Sequence, residues 1–386
     1  MSREFTTLLW LAKHTYSKWY LKHNHVTTSG LDKIDFKKGA YLIISNHCGA
    51  YDPVIISSIV PRTVRWVTGA YLFKQKFLNF VFAHVCRCIA KQQGQSDLST
   101  MRAMQKNLRE GNVVGIFPEG TRTWDGDMMP YSKTALAKMI KIFSVSTVFV
   151  NLEGCFAQQP RWADYYRTGR GVNVNFRKVL TSDEIKTMTI PDLEACLTEN
   201  FDFSNDIWKK HTDYDFESEH RAEGLQKFLY MCPVCKNIGC MNTQGDKIEC
   251  ALCGADATVT PDDDINSEKI GYKHFSEWHE WEKTAISSVK VLKEEKAVLF
   301  QSGILDNKGK LKTVSKDLSV RVDNDVMYIS CSEGKSYTFK LDEISSFILN
   351  AKQTMEFVSD GMVYRLRLLP SSSALKFQEY YFAHRA

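Results

Sequence analysis

Two short stretches hold the side chains best suited to chemistry. In Asn46-His47-Cys48-Gly49-Ala50-Tyr51-Asp52-Pro53 an imidazole precedes a carboxylate by five positions. A carboxylate that accepts one imidazole N–H fixes the tautomer and leaves the other nitrogen to take a proton from a hydroxyl. With ten histidines in the chain the spacing alone says little. On a continuous helix a five-residue step would set the two side chains about 140° apart, too far to bond. A loop carrying His47, with Asp52 opening the next helix, brings them together, and Asp-Pro suits a helix start. The plainer alternative is a capping Asp beside an incidental His.

The second stretch is Phe117-Pro118-Glu119-Gly120-Thr121-Arg122, after the apolar run Val113 to Phe117. Binding loops in α/β folds sit at the ends of buried strands, Gly120 permits close backbone approach, and Arg122 offers a planar fork for phosphate. The alternative is a strand-to-loop turn with a surface Arg. Cys48, beside the histidine, is discounted as a nucleophile because sequence neighbours rarely point at one another.

A third pattern is Cys232-Pro233-Val234-Cys235 and Cys250-Ala251-Leu252-Cys253-Gly254, two C-x2-C knuckles. Four thiolates so spaced suit tetrahedral Zn²⁺ in a zinc ribbon, with Cys240 as the spare thiol. Nothing nearby supplies catalytic groups, so the metal is expected to be structural, holding a segment too small for its own core. Lys236 and Lys247 balance Asp246 and Glu249, which argues against nucleic acid.

These residues need a scaffold. Tyr41 to Ser45, Val64 to Thr68, Val113 to Phe117, Val145 to Leu152 and Val172 to Phe176 read as strands, with helices after Pro53 and over 98–110 and 132–143. Such alternation predicts an α/β layer with a mostly parallel sheet and flanking helices. Pro261 to Asp264 reads as a hinge. Beyond a short helix (Phe275 to Trp281), period-2 segments run from Val298 to Leu369, broken by turns such as Asp306-Asn307, before a terminal helix from Ser372. Strands followed by one helix resemble a pleckstrin-homology-like barrel. Lys308, Lys310, Lys312 and Lys316 read as a solvated hairpin face. The expected division is an amphipathic helix (1–24), an α/β domain (25–230), a zinc ribbon (231–256) and a β-rich domain (270–386).

Taken together, N-H-x4-D and F-P-E-G-T-R, some 70 residues apart and in this order, resemble the PlsC-type glycerophospholipid acyltransferase superfamily, in its 1-acylglycerol-3-phosphate acyltransferase branch. The resemblance spans roughly residues 25 to 180. It implies acyl transfer from acyl-CoA or acyl-carrier protein to a lysophospholipid hydroxyl, in phospholipid synthesis. His47 would be the base and Asp52 its partner, with Asn46, Glu119, Gly120, Thr121 and Arg122 at the acceptor. Lys91, in Cys86-Arg87-Cys88-Ile89-Ala90-Lys91, stands where the family carries a phosphate-binding Arg and keeps charge without the fork. Val148-Phe149-Val150 lacks the proline of the family's V-P-V element. The rival expectation is a silent lipid- or partner-binding scaffold, which would have no need for both motifs.

At 386 residues, with 44% hydrophobic and 25% charged side chains, the composition is that of a globular chain of more than one domain. Eleven scattered cysteines favour a reducing compartment, and no apolar run is long enough to cross a bilayer. Phe5, Leu8, Leu9, Ala12, Tyr16, Trp19 and Tyr20 recur at helical spacing. Seven basic residues stand against three acidic ones within residues 1–40. A cationic, aromatic-faced helix suits an anionic lipid surface from the cytoplasmic side, peripheral or monotopic, or else a helix packed on the core.

Overall fold

The computed structural model describes residues 7–70, 73, 79–91, 98–304 and 311–385. Phe5, Asp306-Asn307, Lys308 and Lys310 lie outside them. Two compact units result, 1–161 with 166–217, and 162–165 with 218–386.

The first unit is built on a seven-stranded sheet. Its strands are β1 (Thr27–Ser29), β2 (Tyr41–Ser45), β3 (Val64–Gly69), β4 (Ile89–Lys91), β5 (Val113–Ile116), β6 (Ser146–Glu153) and β8 (Asn173–Leu180), in the order β1-β8-β6-β2-β5-β3-β4. A small pair, β7 (Thr168–Arg170) with β9 (Asp215–Glu217), lies off it. Every neighbour pair of the large sheet is parallel except β6 with β8, as the alternating elements predicted. The apolar run of β2 is buried on both faces, its side chains alternating between them along the strand. Ile43 faces a core with Trp66, Val148, Val150 and the helix Asp52–Ile59. Leu42 and Ile44 face the opposite core, with Val114, Phe149 and the helices Leu98–Arg109, Lys133–Phe143 and Ile190–Asn200.

The N-terminal helical stretch is more divided than its periodicity suggested. It runs as Thr7–Ala12, a π-helical segment Lys13–Ser17, then Lys18–His23. Tyr20 is buried and stacks on Tyr51, ring centroids 5.4 Å apart, while Lys13 Nζ donates to Val60 O. Trp10 and Trp19 stay 50% and 56% exposed. The helix thus packs on the core by one face and offers aromatic rings on another.

In the second unit, β10 (Met241–Gln244), β11 (Lys247–Cys250), β12 (Asp256–Val259) and β13 (Ile265–Asn266) form an antiparallel ribbon. The segment from Pro261 to Asp264 is not a hinge. It is a tight turn joining β12 to β13, closed by Asp263 N–H to Thr260 O and Thr260 N–H to Asp264 O, at 3.0 and 2.9 Å. The break also falls at 217/218 rather than at 230. The segment 225–231 buries Leu225, Phe228, Leu229 and Met231, and Ala222 N–H and Gly224 N–H bond to Gly245 O and Thr243 Oγ1 of the ribbon.

The β-rich part follows as β14 (Val291–Ile304), β15 (Lys312–Ser315), β16 (Leu318–Asp323), β17 (Val326–Cys331), β18 (Ser336–Lys340), β19 (Ile344–Ala351), β20 (Thr354–Ser359) and β21 (Met362–Leu368). The order is β18-β17-β16-β14-β21-β20-β19, with β15 also on β14. The terminal helix Leu375–His384 buries Phe377, Tyr380 and Tyr381. Tyr381 stacks on Phe347 at 5.3 Å and donates to Ile344 O.

Candidate active site

Because β2 and β5 are parallel neighbours, with Ile44 beside Ile116, the loops that follow them leave from the same end of the sheet. That register brings residues some 70 positions apart to one place. His47 Nδ1 lies 2.8 Å from Asp52 Oδ2. The same oxygen accepts the N–H groups of Cys48 at 2.7 Å and Gly49 at 2.9 Å. A carboxylate only accepts, so Nδ1 carries the proton and Nε2 presents its lone pair. Asp52 is 1% exposed and begins its helix without capping it. The expected N-cap role is therefore replaced by a clamp on the turn 47–49, a stronger use of a buried charge.

Glu119 closes the other side. Its Oε1 accepts the His47 N–H at 2.6 Å and its Oε2 the Met129 N–H at 2.7 Å. Burial pushes its carboxyl up to about 8, opposed by those two N–H bonds. Thr123 N–H in turn donates to His47 O at 2.9 Å. The main-chain N–H and C=O of His47 are thus both fixed, by Glu119 of the F-P-E-G-T-R loop and by Thr123 just after it.

The ring itself ends a stacked column. His47 stacks on Phe117 at 4.2 Å, and Phe117 on Trp66 at 4.7 Å, with Trp66 Nε1 donating to Ser57 Oγ. Gly115 makes room for this column: a Cβ there would lie 2.5 Å from the Trp66 ring. Gly115→Ala is therefore expected to cost about 1–3 kcal/mol, as overpacking of a filled core does. Denaturant unfolding checks it, and an unchanged midpoint would mean that Trp66 does not depend on the missing methyl.

Other expected residues fare differently. Asn46 does not face an acceptor: it is 2% exposed, its amide donates to Leu152 O at 3.1 Å, and its oxygen accepts Leu152 N–H at 2.7 Å. It ties the end of β2 to β6. Gly120 is exposed at φ +68°, a left-handed conformation that favours glycine. Thr121 and Arg122 are half-buried in the same loop. Lys91 is exposed at the end of edge strand β4. Two strands separate β4 from β2, which puts Lys91 about 14 Å along the sheet at the usual spacing. Cys48 is buried, and burial with the adjacent Asp52 charge pushes its thiol well above the ordinary value, which suits a packed thiol rather than a nucleophile.

Arg161 was not foreseen. It is 4% exposed, sits 4.2 Å over the Trp124 ring, and donates from Nη1 to Thr121 Oγ1 at 2.9 Å and Arg122 O at 2.7 Å. Nothing in the local pattern Gln158-Gln159-Pro160-Arg161-Trp162 announces this, since its partners lie 40 residues away.

In the second unit the sulfurs of Cys232, Cys235, Cys250 and Cys253 all lie within 4.8 Å of one another. Cys232 to Cys253 is 3.6 Å and Cys235 to Cys250 is 3.7 Å. A tetrahedron with metal–sulfur bonds of about 2.3 Å has edges of about 3.8 Å, so the four fit one such ion. Backbone N–H groups of Val234 and Cys235 point at Cys232 sulfur, and those of Leu252 and Cys253 at Cys250, stabilising thiolates. Cys240 lies beside Cys250 at 3.5 Å but aims at Asn237 O.

The matches to known proteins concern the first unit. Residues 25–151 match the family model described as Acyltransferase. The chain is 25% identical over 148 residues to 1-acyl-sn-glycerol-3-phosphate acyltransferase of Helicobacter pylori, covering 37% of this chain and 62% of that protein. It is 28% identical over 110 residues to the protein of the same name from Borreliella burgdorferi, covering 27% and 42%. With Taffazin of Dictyostelium discoideum it shares 27% over 140 residues, covering 32% and 48%. The chain therefore spans less than two thirds of these relatives' own length. Among solved structures, the 1-acyl-sn-glycerophosphate (LPA) acyltransferase of Thermotoga maritima is 17% identical with a TM-score of 0.42, covering 50% of this chain and 75% of that one. Residues 25–151, which supply His47, Asp52, Glu119 and Arg122, are thus the part of the chain that matches the Acyltransferase family model.

Proposed function

We propose that the chain transfers a fatty acyl group from a thioester, acyl-CoA or acyl-carrier protein, to the hydroxyl of a lysophospholipid, 1-acylglycerol-3-phosphate in the first instance. The observation that carries this reading is the 2.8 Å bond between His47 Nδ1 and Asp52 Oδ2, set beside the F-P-E-G-T-R loop. As the acceptor oxygen attacks the thioester carbonyl, its proton passes to His47 Nε2. Collapse of the tetrahedral intermediate expels the thiolate, which takes that proton back. Asp52 keeps the ring turned and stabilises the imidazolium. The Gly120 to Arg122 segment seats the phosphate, with Arg122 as its fork. Lys91 adds positive charge at the sheet edge.

The setting proposed is the cytoplasmic side of a membrane. Exposed Trp10, Leu11, Tyr16 and Trp19, among Lys13, Lys18 and Lys22, suit the head-group zone of an anionic leaflet. No described helix is long and apolar enough to cross a membrane. The four-cysteine site is read as holding a structural Zn²⁺, and the β14–β21 unit with its terminal helix as a pleckstrin-homology-like module.

The test is transfer of radiolabel from an acyl thioester to lysophosphatidate in vesicles of phosphatidylcholine with phosphatidylglycerol. Labelled phosphatidate is expected, and Arg122→Ala should raise the acceptor KM about tenfold to a hundredfold, the worth of a charge-assisted bond. A purified chain that labels no lysolipid from either donor is a silent scaffold, and the proposal fails.

A further inference from the structure

The F-P-E-G-T-R loop is anchored at its ends and open in its middle. Glu119 is held by two N–H groups, and Thr123 N–H by His47 O. Between them Gly120 is exposed, and a Cβ there would meet nothing within 4 Å. The residues proposed to meet a phosphate begin at this open glycine, whose own N–H donates back to Phe117 O at 3.1 Å. Arg161 reaches them from behind, one guanidinium nitrogen shared between the Thr121 hydroxyl and the Arg122 carbonyl, its plane resting on Trp124.

The backbone that carries Arg161 is tied at its base within the first unit and then enters the second. Behind it, Arg167 N–H donates to Gln158 O at 3.0 Å and Arg167 Nη1 to Ala157 O at 2.9 Å, closing the base of the excursion 159–166. Ahead of it, Trp162 to Tyr165 belong to the second unit. There Trp162 is fully buried, edge-on to Phe275 at 5.7 Å. Asp164 N–H donates to Glu223 O at 3.1 Å and its carboxylate pairs with buried Lys227, while Tyr165 stacks on His220 at 4.3 Å. A side chain rising from a loop tied off at its base within the same unit loses less entropy in holding its targets.

We infer that Arg161 is a positioning residue for the acceptor's phosphate, fixing Thr121 and Arg122 in the geometry that seats the anion. The inference rests on the proposed acyl transfer to a lysophospholipid. Its consequence is selective. Loosening Thr121 and Arg122, while Glu119 and Thr123 keep their bonds to His47, weakens recognition of a phosphate-bearing acceptor and leaves the thioester and the His47–Asp52 pair as they were. An arginine that served only general stability would lower the rate with every acceptor alike.

The experiment compares wild type, Arg161→Ala, Arg161→Lys and Thr121→Val, using lysophosphatidate and uncharged monoacylglycerol as acceptors, with thermal melting alongside. Arg161→Ala should raise the lysophosphatidate KM about tenfold to a hundredfold, as loss of bonds to a charged donor does. Its donor KM and kcat should stay within roughly threefold, the pattern of lost ground-state binding. The preference for the phosphate acceptor over monoacylglycerol should shrink by the same factor. Arg161→Lys keeps a donor and should recover part of the loss, and Thr121→Val, which removes one acceptor, should show a smaller shift of the same kind. Equal losses on both acceptors, or an unchanged lysophosphatidate KM, would overturn the inference. If the wild-type chain transfers no acyl group, the proposed function fails. Arg161 is then judged by titration calorimetry with lysophosphatidate micelles, where binding undiminished in Arg161→Lys and Arg161→Ala would refute it.

Discussion

Replacing His47 by Ala is expected to reduce kcat for acyl transfer by about 10²- to 10⁴-fold, the usual worth of general-base assistance, with little change in acceptor KM. The side chain stacks on Phe117 and lies near the surface, and its main-chain bonds to Glu119 and Thr123 do not need the ring. The fold should therefore survive, and melting should move by little. Asp52→Ala differs in an instructive way. It removes the orienting carboxylate and also strips the Cys48 and Gly49 N–H groups of their acceptor in a buried place. Each orphaned donor costs about 1–3 kcal/mol, so this variant should lose both rate and thermal stability. Steady-state kinetics beside calorimetric melting separates the two. A His47→Ala enzyme working at the parent rate would remove the base from the mechanism.

Withdrawing the metal is the second large expected effect. Structural zinc in small cysteine sites contributes roughly 10–16 kcal/mol of apparent binding energy near neutral pH. The ribbon strands β10 to β13 are two to four residues long, too short to fold on apolar burial alone. Metal analysis should find one zinc per chain, and Cys235→Ser with Cys253→Ser should abolish it. A chelator should lower the melting temperature of the second unit by well over ten degrees, on the scale of about 2–4 °C per kcal/mol for domains of its size. Metal-free protein with an unchanged melt would show that reduced thiols pack there unaided.

The large elements were legible because their signals are local. Tyr41 to Ser45 is an apolar run between polar ends, and β2 has those bounds. His47 and Asp52 could be paired from a steric argument about helices and loops. Which strand neighbours which is not local, so nothing in the sequence said that β5 lies against β2 and delivers Glu119 behind the imidazole. The chemistry of a side chain is also mute about its direction. A carboxylate and an amide looked equally fit to meet a substrate, yet Glu119 turns to backbone N–H groups and Asn46 to Leu152. Arg161 escaped notice for the same reason, its partners being remote in sequence. The π-helical segment Lys13–Ser17 was hidden because apolar periodicity reports a face, not the hydrogen-bond step of the helix.

The excursion 162–165 has a practical corollary for anyone who divides this polypeptide. A fragment ending at Glu217 would carry the indole of Trp162 into water, stripped of its socket around Phe275. The complementary fragment, starting at Ser218, would be left with a void of matching size and with Lys227 deprived of Asp164. No single scission yields two intact halves, because the polypeptide enters the second unit at 162–165 before it has finished the first.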